Sequence, residues 1–149
     1  MKCNHCGHID ISEINTDYNV PYTAGYNNSG TVIYIDSRLP EIFIDSQGQK
    51  VDVHKYLIIH EVAEKALKDE LKLDYNTAHS LAMATQAQAL TRDKINYDEY
   101  YGFLQKYVNY DIQPEDFENV PPDLDISPYV ADGLTEVVNK IKRIQKEEK

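Results

Sequence analysis

No stretch constrains the fold more than Asp52 to Leu90, where two helical runs are split by a short break at LKLDYN. Residues three and four apart share a helix face. One helix from Val53 to about Lys72, capped by Asp52, satisfies that spacing. A second, opened by Asn76 or Thr77 and running to about Arg92, packs across it. On the first helix Val53, Leu57, Leu67 and Leu71 lie on the face of His60 and Glu64. Two polar groups are thereby turned toward the packed side, where a buried charge needs a partner. On the second helix His79 precedes Ala82, Met83 and Gln86 on an inward face.

His60, Glu61 and Glu64 spell H-E-x-x-E. In zinc peptidases of the H-E-x-x-H type a helix supplies two ligands one turn apart, and the Glu beside the first acts as general base. Here Glu64 stands where the second His would be, and a carboxylate also binds Zn²⁺. With His79 it makes a His₂Glu set, three protein ligands that leave a fourth position for water. Glu61 takes the role of base. Gln86 lies two turns beyond His79 on nearly the same face, with its amide oxygen near the metal or its water rather than counted as a ligand. A plainer reading stays open: a Glu- and Lys-rich helix produces H-E-x-x-E by chance, and His60 and Glu64 then pair internally without a metal.

A second metal reading sits at the chain start, where Cys3, Cys6 and His8 read C-x-x-C-G-H. Two cysteines at this spacing are half of a zinc knuckle. No other C-x-x-C follows, so the site needs one more ligand from His5, His54, a carboxylate or another chain. His5 fits poorly, being inside the loop that the cysteines close. A structural site, an idle reduced pair and a redox dithiol are the three readings, and the last lacks the strand-then-helix context it normally has.

With 149 residues the chain supports one domain, and no apolar run approaches the ~18 residues needed to cross a bilayer. No signal peptide opens it, so a soluble, cytoplasmic protein is expected. A net charge of −10 repels a phosphate backbone and excludes nucleic acid as the default partner. Twelve Tyr against three Phe give rings that pack while their hydroxyls reach water or an acceptor. Acids between Asp111 and Asp125, interleaved with Pro114, Pro121 and Pro122, read as a solvated connection.

Tyr18 to Ser29 reads as loop, and Thr31 to Asp36 (TVIYID) as the best strand. Glu41 to Asp45 is a second strand, closed by a turn at Ser46 to Gln49, and the two strands are expected to pair antiparallel. TVIYID is expected to lie beside the metal helix, where an extended peptide adds main-chain hydrogen bonds. A third helix starts near Asp98 with Tyr100, Tyr101, Leu104, Tyr107 and Val108 at helical spacing. A last one opens at Asp132 or Gly133, with Leu134, Val137, Val138, Ile141 and Ile144 as its stripe. A basic amphipathic helix can touch a membrane, yet one stripe after a packed domain more often docks on that domain, so no membrane partner is expected.

The lead-in YIDSRLP (Tyr34 to Pro40), the helix YLIIHEVAEKAL (Tyr56 to Leu67), YNTAHSLA (Tyr75 to Ala82) and NVPPDL (Asn119 to Leu124) resemble a family of small phage and prophage proteins. The resemblance covers Thr31 to Leu124 and implies a phage origin rather than an activity. Members often carry a Glu seven residues after the matching His, where this chain has Gln86.

The expected fold is thus α+β and mainly α: residues 1–12 as a knuckle-like segment, 13–130 as one globular domain holding a short antiparallel sheet, a metal-bearing helix pair and a further helix, and 131–149 as a C-terminal amphipathic helix with a frayed end. The expected function is a zinc-dependent, peptidase-like hydrolase acting on a protein or peptide. The alternative is a non-catalytic, metal-stabilised protein that binds or inhibits a host protein.

Overall fold

The computed structural model describes residues 11–108, 119–134, 138–139 and 142–143. Cys3, Cys6, His8, most of the acidic run and most of the last helical stripe lie outside them. Among the described residues the architecture is α+β and mainly helical, with strands β1 (Glu13–Asn15), β2 (Ala24–Tyr26), β3 (Val32–Ile35), β4 (Ile42–Ile44) and β5 (Lys50–Asp52) ahead of four helices, and residues 138–139 and 142–143 helical again after them.

β3, the core of TVIYID, is buried on both faces because successive side chains of a strand point opposite ways. Ile33 and Ile35 enter the main core with Tyr26, Val53, Tyr56, Leu57 and Leu90. Tyr34 enters a second core with Val20, Leu124, Tyr129 and Val138. The sheet is therefore a middle layer. Its order is β1-β3-β2, with β1 parallel to β3 and β2 antiparallel. The expected pairing of TVIYID with Glu41 to Asp45 does not occur, nor is TVIYID an edge. Both its sides are taken, and β4 pairs instead with β5. The reason is local: Asp45 Oδ1 accepts from the backbone N of Gln47 (2.9 Å) and Gln49 (2.8 Å), and Gly48 takes φ 78°, closing a tight hairpin at little loop entropy. Tyr18 to Ser29 is not all loop either, since it contains β2.

Helix α1 (Val53–Glu70) is capped by Asp52, whose side chain accepts from Lys55 N at 3.2 Å. It ends where Lys72 turns to φ 56° and Leu73 N reaches back to Leu67 O at 3.3 Å. Leu71 is exposed, so the inward face is shorter than the sequence implied. Helix α2 (Tyr75–Arg92) starts earlier than expected. Its cap is Asp74, accepting from Thr77 N at 2.8 Å, rather than Asn76 or Thr77. That places Tyr75 inside the helix, one turn before His79. Helix α3 (Tyr97–Gln105) is capped by Asn96 and buries Tyr100 and Leu104, while Tyr101 is exposed.

The chain returns at Asn119. Asn27 bridges Leu124 antiparallel and Asp125 N donates to Tyr26 O at 2.9 Å, so this segment lies along the outer end of β2. Short helix α4 (Ser127–Ala131) follows and ends at Gly133, at φ 72°; beyond it residues 138–139 and 142–143 are helical, as expected, and Val138 N donates to Leu134 O at 2.9 Å. Val138 packs into the second core. Asp123 is exposed while accepting from Tyr34 OH at 2.6 Å, but Asp125 is not a solvated acid: it is half-buried and accepts from Lys68 Nζ at 2.9 Å.

Candidate metal centre

Helices α1 and α2 bring His60, Glu64 and His79 together, and this is the one such group of metal-ligating side chains among the described residues. Glu64 is the hub. Its Oε2 lies 3.0 Å from His60 Nε2 and 3.1 Å from His79 Nδ1, and its Oε1 accepts from Tyr26 OH at 2.7 Å. Burial pushes a carboxyl up, but the two histidine hydrogen bonds, the charge of His60 and the tyrosine hydroxyl outweigh it and hold Glu64 low.

The protonation of His60 follows from a chain behind it. Tyr100 OH donates to Val53 O at 3.2 Å, so it can only accept from Gln86 Nε2, also at 3.2 Å. Gln86 Oε1 must then face His60 Nδ1, 3.2 Å away, and that nitrogen carries a proton. His60 Nε2 is left aimed at a carboxylate oxygen. Either a second proton on the imidazole or a cation has to sit in that gap. Tetrahedral zinc with bonds of ~2.0–2.2 Å would hold its ligand atoms roughly 3.3 Å apart. The observed 3.0 and 3.1 Å fit that scale with small adjustment. The cluster can hold a metal ion, with Gln86 fixing the tautomer of one ligand.

These groups line a cleft of about 310 Å³. It opens on the His79 side, whose side chain is 41% exposed against 2% for Glu64. Glu61 also lines the cleft. It is buried and has no side-chain hydrogen-bond partner among the described residues. Burial first, and then the charge of Glu64, raise its carboxyl well above the usual range. Helix α3 forms one wall through Tyr101 and Leu104 without closing the mouth.

Four side chains at the site escaped the sequence reading. Tyr75 stacks on His79 (5.4 Å between ring centroids, 25°) with its hydroxyl 3.2 Å from His79 Nδ1. The i, i+4 spacing would have revealed it had the helix been started at Tyr75. Lys68, one turn beyond Glu64, was legible in the same way. Tyr26 and Asp125 arrive from distant segments and leave no local signal. The strand beside the site is β2, not TVIYID.

The site is thus a two-helix His₂Glu cluster with an adjacent buried carboxyl in an open cleft. No family model, no curated protein and no solved structure matches the chain.

Proposed function

We propose that the chain is a zinc-dependent hydrolase of peptide-like substrates, with His60, Glu64 and His79 holding the metal and Glu61 as general base. The observation that carries the reading is the convergence of three ligand atoms in an open cleft, with the proton of His60 already committed to Gln86. Zinc, when bound, lowers the pKa of its water to about 7 and polarises a carbonyl. Glu61 has the burial and the raised basicity to take a proton from the attacking water. The Tyr75 hydroxyl stands at the rim of the cluster, suited to donate toward an oxyanion. On β2, residues 23, 25 and 27 turn toward β3, as Thr23 O and Asn27 N show by bonding Asp36 N and Val32 O. The main-chain groups of Ala24 therefore face away from β3, suited to an extended peptide.

The phage or prophage origin and a bacterial cytoplasmic location belong to the same proposal. No helix among the described residues is long and apolar enough to cross a membrane.

The test is metal content of purified wild type and His60→Ala, with digestion of a mixed peptide library read by mass spectrometry. About one zinc per chain at this site, lost in His60→Ala, together with cleavage, is expected. Zinc without cleavage of any peptide would favour the metal-stabilised binding protein. A protein that stays folded and takes up no zinc on titration would leave the internal His60–Glu64 pair.

A further inference from the structure

We infer that Tyr26 and Lys68 decide how Glu64 holds its metal: Lys68 positions the Tyr26 hydroxyl, which occupies Glu64 Oε1 and leaves Oε2 alone to coordinate. The inference rests on the metal reading of the His60, Glu64 and His79 cluster. A carboxylate binds an ion through one oxygen or both, and which it does sets how many positions remain for water and substrate.

The two oxygens of Glu64 are in different surroundings. Oε2 faces both histidines, whereas Oε1 faces β2 and accepts from Tyr26 OH at 2.7 Å. The tyrosine hydroxyl in turn accepts from Lys68 Nζ at 3.0 Å, so its own hydrogen is committed to Glu64. An ammonium has three hydrogens, and Lys68 uses all of them: the other two go to Asp125 Oδ2 at 2.9 Å and Ser127 Oγ at 3.0 Å. The Tyr26 ring is held as well, with Lys68 Nζ 4.9 Å and Lys65 Nζ 5.5 Å from its centroid. Tyr26 is buried, and nothing in this arrangement lets its hydroxyl swing off Glu64 without breaking the lysine contact. Three separate segments, β2, α1 and the Asp125–Ser127 lead into α4, thereby meet at one carboxylate oxygen. Tyr26 and Lys68 are positioning residues, acting through Glu64.

The experiment uses the full chain loaded with Co²⁺, whose visible absorption reports coordination number. Wild type is expected to bind one Co²⁺ with the intense absorption of a four-coordinate ion. In Tyr26→Phe, Oε1 is released to chelate, so the band should weaken toward that of a higher-coordinate ion and affinity should fall roughly 10- to 100-fold. Lys68→Met, which keeps the hydroxyl but frees it to turn, should shift the spectrum the same way with a smaller loss. Circular dichroism and melting establish that each variant is folded. Should Tyr26→Phe fold poorly, Lys68→Met carries the same spectroscopic reading. An unchanged spectrum and affinity in a folded Tyr26→Phe overturns the inference, and a change there with none in Lys68→Met overturns the part given to the lysine. Wild type that binds no Co²⁺ refutes the metal reading itself, a failure distinct from both.

Discussion

Replacing Glu61 by Gln should abolish hydrolysis and stabilise the metal-free fold at the same time. The carboxyl is buried, lies one turn from Glu64, and has no side-chain hydrogen-bond partner among the described residues. Glu64 and Asp125 both repel its charge, and only Lys68 opposes them. Burial at the cleft wall penalises the charged form of this carboxyl, by about 1.4 kcal/mol for each unit that its pKa is raised. Gln keeps the shape and removes the charge, so a gain on the order of 1–3 kcal/mol is expected for protein stripped of metal. In a domain of this size each kcal/mol moves the melting midpoint by about 2–4 °C. The assay is a melt of chelator-treated wild type and variant, beside peptide cleavage by the zinc-loaded forms. Cleavage should fall roughly 10²- to 10⁴-fold with zinc content unchanged, because a base touches water and not the metal. A variant that melts below wild type would refute the unpartnered placement of Glu61. One that loses zinc would make Glu61 a ligand, and one that still cleaves would remove it as base.

Stripped protein given zinc at about 100 times its dissociation constant should gain about 2.7 kcal/mol, and His79→Ala should show no such shift in a thermal scan. Gly30→Ala should lower the melting midpoint by several degrees, since φ is 78° and a Cβ would meet Lys65 Cγ and Cε at 2.9 Å. Gly48→Ala, with the same φ but open space, should cost less. Asp125→Asn is a pH test, read by urea unfolding. Burial raises the Asp125 carboxyl, but the two Ser127 hydrogen bonds and Lys68 lower it overall. A lowered carboxyl stabilises fully above its ordinary value of about 3.9 and loses that contribution as pH falls through the folded value. Wild type should therefore exceed the variant by about 1.5–3 kcal/mol at neutral pH, with the gap closing in acid below about pH 4. Cys3→Ser with Cys6→Ser should leave zinc at the His60 site by metal analysis. Loss of that zinc would join the two constellations into one.

Helix α1 was legible because two independent local signals agree on it, an N-cap at Asp52 and apolar spacing from Val53 to Leu57. The start of α2 was misjudged because three polar residues within four positions, Asp74, Asn76 and Thr77, include more than one good cap. Asp74 is the one whose carboxylate reaches a backbone N–H. TVIYID was recognised as a strand from β-branched composition, but its partners were not. A run buried on both faces identifies a central strand only once something is known to cover each face. The second cover is the 119–134 segment, whose prolines and acids suggested solvent.

By itself the sequence determined what short-range geometry determines: the helix that sets His60, Glu61 and Glu64 within one turn, and the inward faces of His79 and Gln86. Helical spacing is fixed at 3.6 residues per turn whatever the rest of the chain does. Only the tertiary structure decided that Tyr26, Asp125 and Tyr100 converge on those residues. Tyr26 reaches Glu64 across 38 positions of chain and Tyr100 reaches Val53 across 47. Contacts of that range come from the layering of sheet and helices, and they set which oxygen of Glu64 meets Tyr26 and which meets the two histidines, and which nitrogen of His60 meets Gln86.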